Sequence, residues 1–442
     1  MHIIENGNAA AALGVKLCRA SVIAAYPITP QTPLTEKLSE YVERGDMKAE
    51  YIPVESEHSA LAVCIAASSA GARVFTATSA NGLLYMHEQV QWASGARLPI
   101  VMCVVNRAVG APWNIWNDQQ DSISQRDTGW IQIYCADHQQ IIDTVIKAYW
   151  IAEKVSIPIM VCYDGYILSH TFMPFDLPEQ EKVDAFLPPF KPEYALSPEE
   201  PANLNTVTLP DVRLDVRGEL AHSYMEIRYL LQEDLRSTLA VAADAEKRFA
   251  KIFGRSGDPY IESYRCDDAD HVAVGLGSLT YQLRVSVDAL RKEGIKVGVM
   301  GIRFYRPFPD EAIANALKGK KTVIVFEKAL SYGYEGALTS DLKSALYEHL
   351  AGRHHACCAS QLPDGASGAF SCCLDKTSLP ECDLCFNSRC GHRHSRHPQN
   401  TGQYPHNGGR LGRRRRNRRY RFAGFIRRGG ARRQLHLFLL RQ

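Results

Sequence analysis

Two periods of apolar spacing alternate through residues 1–170. Short runs rich in Val, Ile, Tyr and Phe at 21–26, 51–54, 73–77, 99–105, 131–135 and 158–163 predict strands. Between them, 9–19, 34–44, 59–70, 83–96 and 139–154 carry helical spacing. Runs that are apolar at successive positions predict strands buried on both faces, so the pattern predicts a parallel sheet covered by helices. Ligands in such sheets bind at the carboxyl ends of the strands. There the sequence places Tyr26-Pro-Ile-Thr-Pro30, Glu55 and Glu57, residues 78–81, Asn106-Arg107 and Asp164-Gly165.

The pattern breaks after residue 170. Residues 171–210 hold eight of the 22 prolines and show little periodicity, yet Phe172, Phe175, Phe186, Phe190 and Tyr194 favour burial. An extended arm wrapping a neighbour is the expectation. Residues 219–253 regain helical spacing and predict one or two connecting helices. A second alternating unit follows, with strands at 271–276, 297–304 and 322–327 and helices at 279–292, 310–317 and 335–350. Gly275-Leu-Gly277 lacks the third glycine of a dinucleotide fingerprint and reads as a tight strand-to-helix turn.

Charge changes the picture only at the end of the chain. The net +3 averages two unlike parts, because from residue 386 onward there are sixteen Arg and no Lys, Asp or Glu. Residues 1–385 are therefore acidic, at −13, which argues against nucleic acid as the main partner. Six cysteines (Cys18, Cys64, Cys103, Cys135, Cys162, Cys266) are scattered through apolar segments as reduced core residues would be, and seven crowd into 357–390. The start carries no basic region followed by an apolar core, and no apolar run is long enough to span a membrane. A cytoplasmic protein is expected.

Candidate chemistry centres on residues 53–82, where Glu55 and Glu57 open a small-residue helix closed by Gly71. A carboxyl group at a strand end, walled by Ala, Val and Ile, suits proton transfer. By spacing alone, the better reading of Glu57 is a cap on the following helix, where an acid near the first turn is favoured, and Glu55 is a cap or interface group. Thr29, between two prolines, can simply stiffen a turn. Arg107 can form an ordinary ion pair with Asp118 or Asp121, and His58 is a satisfied helix-start residue.

Longer motifs weigh on these alternatives: Tyr26-Pro-Ile-Thr-Pro-Gln-Thr-Pro33, Pro53-Val-Glu-Ser-Glu-His-Ser-Ala60, Thr76-Ala-Thr-Ser-Ala-Asn-Gly82, Val105-Asn-Arg-Ala108, Arg126-Asp-Thr-Gly-Trp-Ile-Gln132 and Asp164-Gly-Tyr-Ile-Leu-Ser-His-Thr171. Together with Val297-Gly-Val-Met-Gly-Ile-Arg-Phe-Tyr-Arg-Pro-Phe-Pro309 they resemble, in order from about residue 5 to 350, the alpha subunit of pyruvate:ferredoxin oxidoreductase and related 2-oxoacid:ferredoxin oxidoreductases. The resemblance implies an α/β chain: a parallel-sheet, pyrimidine-type thiamine-diphosphate-binding domain (1–170), an arm and helical linker (171–265), and a transketolase C-terminal-like α/β domain (266–350). It implies oxidative decarboxylation of a 2-oxoacid, probed first as pyruvate, with coenzyme A taking the acyl group and ferredoxin the electrons. A branched-chain acid or 2-oxoglutarate is the alternative substrate, and a non-catalytic scaffold subunit the alternative role.

By motif, Glu57 corresponds to the carboxyl that activates the cofactor's aminopyrimidine. Thr29 offers a hydroxyl to the 2-oxoacid, Pro30 shapes the turn on the cofactor, and Arg107 holds the substrate carboxylate with a two-pronged donor. No Gly-Asp-Gly metal–diphosphate motif and no Cys-x2-Cys-x2-Cys-x3-Cys-Pro cluster motif occurs in the sequence. The chain is therefore not expected to be the whole enzyme, and the resemblance implies partner beta, gamma and delta subunits that carry Mg2+ and the iron–sulfur clusters, with the thiamine diphosphate shared with beta.

The tail, 351–442, departs from the family. Cys382, Cys385, Cys390 and His392 approach zinc-finger spacing, and the Arg run suits a nucleic acid. Arg without Lys beside His, Pro, Gly and Cys suits an out-of-frame translation better. The expectation is a disordered tail without function and a second domain that stops one strand short.

Overall fold

The computed structural model describes residues 1–191, 224–350 and 434–439. In chain order the first part is β1 (His2–Asn6), α1 (Gly7–Leu17), β2 (Val22–Ala25), α2 (Thr32–Glu43), β3 (Glu50–Pro53), α3 (Glu57–Ser69), β4 (Val74–Thr78), α4 (Ala80–Tyr85), α5 (His87–Gly95), β5 (Val101–Asn106), α6 (Gln120–Ile123), β6 (Ile131–Cys135), α7 (His138–Val155) and β7 (Ile159–Asp164). Then come β8 (Phe172–Asp176), α8 (Gln180–Phe186) and α9 (Tyr224–Phe253). The last part is β9 (Ile261–Tyr264), β10 (His271–Leu276), α10 (Ser278–Lys292), β11 (Val297–Ile302), β12 (Phe304–Arg306), α11 (Asp310–Leu317), β13 (Thr322–Glu327), α12 (Ala337–Leu350) and β14 (Gln434–Leu439).

The larger sheet has the order β12-β6-β7-β5-β4-β2-β3, and its strands β2 to β7 pair in parallel. Its central strands are buried on both faces, as unbroken apolar runs require. Val101, Cys103 and Val105 of β5 face one apolar layer with α1 and α7, whereas Met102 and Val104 face another that includes Val272, Val274, Met300 and Ile302 of the second unit. The period-2 alternation thus sends one face of β5 against helices and the other toward the second sheet. The scattered cysteines are free and buried, and burial pushes the Cys64 thiol up to about 12.

Several features differ from the sequence reading. The helix expected at 83–96 begins earlier and is broken at Met86 into α4 and α5. The arm wraps its own domain: β8 pairs antiparallel with β1, and Phe175 and Phe186 are fully buried. Phe186 packs edge-on against Phe249 and Phe253 of α9, with ring centroids 5.5 and 6.0 Å away, so its apolar surface is covered within the chain. Phe172 stays exposed, and Tyr194 lies outside the described residues. The single strand expected at 297–304 divides. β11 stays in the second sheet, and β12 crosses to pair antiparallel with β6 on the edge of the first.

The second sheet has the order β14-β13-β10-β11-β9, parallel except for β9 on β11. Its β13 edge, expected to lie open, is paired in parallel by β14, from Thr322 opposite Gln434 to Glu327 opposite Leu439. An apolar run at the end of the chain supplies that strand. The cysteine cluster and the Arg run lie outside the described residues. Among the described residues, no helix is long and apolar enough to cross a membrane.

Candidate functional site

β2 continues outward to β3 on one side, and β4 continues to β5 on the other, so the carboxyl ends of β2 and β4 flank a crevice where the direction of winding reverses. The turn after β2 is held from beneath. Asn8 of α1 donates through Nδ2 to the Pro30 carbonyl at 2.9 Å and accepts from the Tyr163 hydroxyl at 2.8 Å. Gln31 N–H donates to the Ile28 carbonyl at 2.8 Å and closes the turn. This leaves the Thr29 side chain exposed. Its carbonyl accepts Arg107 Nη1 at 2.7 Å.

Arg107 is 4% exposed, and burial draws its pKa below the ordinary arginine value. The ion pair with Asp118 or Asp121 is not formed: the guanidinium lies on Thr29, and Asp121 takes the Arg107 backbone N–H at 3.0 Å instead. The cap reading of Glu57 holds only in part: Glu57 is the acid in the first turn of α3, but the side-chain cap is Ser56. Ser56 caps α3 by accepting the Ser59 N–H at 3.2 Å, and Ser59 Oγ donates to Glu55, which is thereby a structural group. Glu57 is 8% exposed, and its carboxyl has no hydrogen-bond partner among the described residues. It lies against Gly82 of α4. A Cβ built on Gly82 would stand 2.6 Å from both Glu57 Oε1 and Thr78 Oγ1, so only glycine leaves room there.

Sequence reasoning missed the organiser of these turns. Asp121, fully buried, accepts four N–H groups: Asn106 Nδ2 and Ser122 N at 2.8 Å on Oδ1, and Ala80 N at 2.9 Å and Arg107 N at 3.0 Å on Oδ2. Burial pushes its carboxyl up to about 6 against those donors. Ala80 holds a left-handed φ of +44°, which the bond to Asp121 helps to fix. Asn8, a polar residue in an alanine-rich helix, supports the turn after β2 rather than these turns.

Asp164, at the end of β7, is also fully buried and accepts Ser278 N at 2.8 Å at the start of α10, with Lys328 Nζ at 3.3 Å. Burial alone would raise its pKa, but Lys328 and Ser278 outweigh burial and hold it below the usual carboxylate value. Its role is to join the two units.

Around the crevice, Gln31 Nε2, Thr78 Oγ1, Ser79 Oγ, Asn106 Oδ1 and Arg107 Nε are buried with no partner in the described structure. Buried polar atoms are rarely left so, and such a set suits a polar ligand. Together with the unpartnered Glu57 carboxyl, the set suits a ligand that presents ring nitrogens and an amino group. The crevice does not fit a metal–diphosphate half. Its other carboxylates, Asp121 and Asp164, are engaged internally, and Asp310, Glu348 and His349, grouped closely enough for an ion, belong to α11 and α12.

Comparison with known proteins bears on the same residues. Residues 13–234 match the family described as pyruvate flavodoxin/ferredoxin oxidoreductase, thiamine diP-bdg, and residues 269–360 match pyruvate:ferredoxin oxidoreductase core domain II. The pyruvate synthase subunit PorA of Methanocaldococcus jannaschii is 47% identical over 348 residues, covering 78% of this chain and 87% of that protein. The ketoisovalerate oxidoreductase subunit VorA of Pyrococcus abyssi is 46% identical over 347 residues, covering 78% and 85%. A solved 2-oxoglutarate:ferredoxin oxidoreductase from Magnetococcus marinus shares the fold at a TM-score of 0.60 and 21% identity, over 78% of this chain and 60% of that one.

Proposed function

The chain belongs to the alpha subunits of the 2-oxoacid:ferredoxin oxidoreductases, and on that premise we propose that its crevice holds the aminopyrimidine end of thiamine diphosphate for the oxidative decarboxylation of pyruvate. The observation that carries this reading is the buried Glu57 carboxyl, unpartnered among the described residues and set against Gly82. Thiamine diphosphate, when bound, supplies the nucleophilic carbon and the electron sink for 2-oxoacid decarboxylation.

This chain's residues bind, orient and move a proton. Glu57 holds a proton against the pyrimidine ring and exchanges it there, which a poorly solvated carboxyl at a helix start does well. Thr29 presents its exposed hydroxyl to the keto acid, while Pro30, anchored by Asn8, shapes the turn beneath. Arg107, steadied through Nη1 on Thr29, keeps its remaining donors for the substrate carboxylate. Thr78 and Ser79 offer hydroxyls to the same crevice. The chain works only in assembly: a beta subunit completes the site with Mg2+ and the diphosphate contacts, and beta, gamma and delta subunits carry iron–sulfur clusters that pass electrons to ferredoxin. Coenzyme A accepts the acyl group, and the assembly is cytoplasmic.

The VorA relative, almost as similar as PorA, supports a second reading in which the acid is branched. Ferredoxin reduction by the assembled enzyme, with coenzyme A and pyruvate, 3-methyl-2-oxobutanoate or 2-oxoglutarate in turn, decides between them. Pyruvate should give the highest kcat/KM. A higher value for the branched acid would establish the second reading, and no turnover with any of the three would remove both.

A further inference from the structure

Residues 117–122 bond to both halves of the chain. On their outer side, Asn117 accepts Lys328 Nζ and donates to the Gly165 carbonyl at 3.2 Å. Gln119 N–H donates to the Lys328 carbonyl at 3.2 Å, and its side-chain amide to Asp164 at 3.2 Å. Gln120 Oε1 accepts the Leu330 N–H at 2.8 Å. Four of these five contacts tie the segment to the second α/β unit or to its anchor Asp164.

On the inner side the same segment presents Asp121, with two N–H donors on each oxygen. Two of the four are backbone groups of the turns that carry the site. Ala80 opens the helix whose Gly82 lies against Glu57, and Arg107 is the proposed carboxylate holder. A buried acceptor shared by two turns fixes their separation, because moving it leaves buried N–H groups unmade. A carboxylate accepts four donors at once, whereas a hydroxyl or an amide in its place cannot.

We propose that Asp121 is a positioning residue for the reaction, set in place by the second α/β unit through residues 117–122. It touches no ligand. It holds Arg107 and the Ala80–Gly82 turn at the spacing that substrate and cofactor require, which gives the second unit a part in substrate binding without a contact to substrate. The proposal rests on the function assigned above to Glu57 and Arg107.

The test uses the assembled enzyme. Asp121→Ser should raise KM for the 2-oxoacid by about tenfold, and Gln120→Ala, which loses only the bond to Leu330, by about threefold. Combined with Arg107→Lys, the effect of Asp121→Ser on KM should fall short of the product by at least about threefold, because the two act through one guanidinium. Tyr149→Phe, which removes a hydroxyl bonded to the Val74 carbonyl at 3.1 Å, away from residues 117–122, serves as the structural control and should lower Tm with KM held. If Asp121→Ser fails to fold, Gln120→Ala decides the matter alone. Amide hydrogen exchange at Ala80 and Arg107 is the readout independent of turnover, and it should quicken in Gln120→Ala and stay unchanged in Tyr149→Phe. A lowered Tm with KM and exchange unaltered, or KM effects that multiply independently, would overturn the proposal. An inactive wild-type assembly would instead remove the functional reading, and exchange would still decide whether Asp121 positions the turns.

Discussion

Arg107 is fastened to Thr29 across the crevice: its Nη1 donates to the Thr29 carbonyl at 2.7 Å, while its Nε is buried without a partner in the described structure. One prong of the guanidinium is spent on the backbone, and the rest of the fork remains for a ligand. A lysine ammonium in its place is a point donor on a flexible stem and cannot serve both sites in one geometry.

Arg107→Lys in the assembled enzyme should therefore raise KM for the 2-oxoacid by about tenfold or more and leave the affinity for thiamine diphosphate little changed. Steady-state kinetics with a parallel cofactor titration checks this. Loss of cofactor binding with an unaltered KM would make Arg107 a cofactor or folding residue.

The pairing of Glu57 with Gly82 predicts two matched effects. Glu57→Gln keeps the shape and a hydrogen bond but cannot exchange a proton, so turnover should fall by ~10²-fold or more with cofactor still bound. Gly82→Ala leaves the carboxyl in place chemically but puts a methyl 2.6 Å from its Oε1, so the carboxyl must shift. Turnover should fall here as well, with weakened cofactor binding as the distinguishing sign. Wild-type rates in both variants would sink the assignment of Glu57.

Much of this was legible in the sequence because strand and helix signals are local. The strands at 131–135, 271–276 and 322–327 lie where their apolar runs place them. What was not legible depends on partners far apart in the chain. The β1–β8 pair joins residues such as His2 and Asp176, and neither strand carries a strong apolar run. The jump of β12 to the first sheet leaves the alternation of 297–306 unbroken, so periodicity cannot reveal it. At the site, spacing alone left Glu57 and Arg107 between two readings. The motifs singled them out, and the structure then removed the ion pair and gave the side-chain cap to Ser56, leaving Glu57 as an acid in the first turn of α3. Asp121 could not be found from sequence, since its side-chain and turn donors lie 14, 15 and 41 residues away.

Asp121 also gives a pH dependence whose sign follows from its burial. Its carboxyl titrates at about 6 in the fold and near its ordinary value, about 4, in the unfolded chain. Between those values the native state binds more protons than the unfolded state, so this group's contribution to stability is fully present below pH ~4 and is lost as pH rises through ~6. The difference amounts to roughly 3 kcal/mol at most, from about two pKa units. Asp164, held below its ordinary value, acts in the opposite sense: its contribution is present at neutral pH and is lost on acidification below about 4. Denaturant unfolding of the wild type and of Asp121→Ser across pH ~4 to ~7 separates the two, because only the Asp121 component disappears in the variant. The wild type should lose stability relative to the variant as pH rises through that window. A flat difference would mean that the four donors hold Asp121 ionised throughout, and the turns at Ala80 and Arg107 would then be pinned by a charge at every working pH.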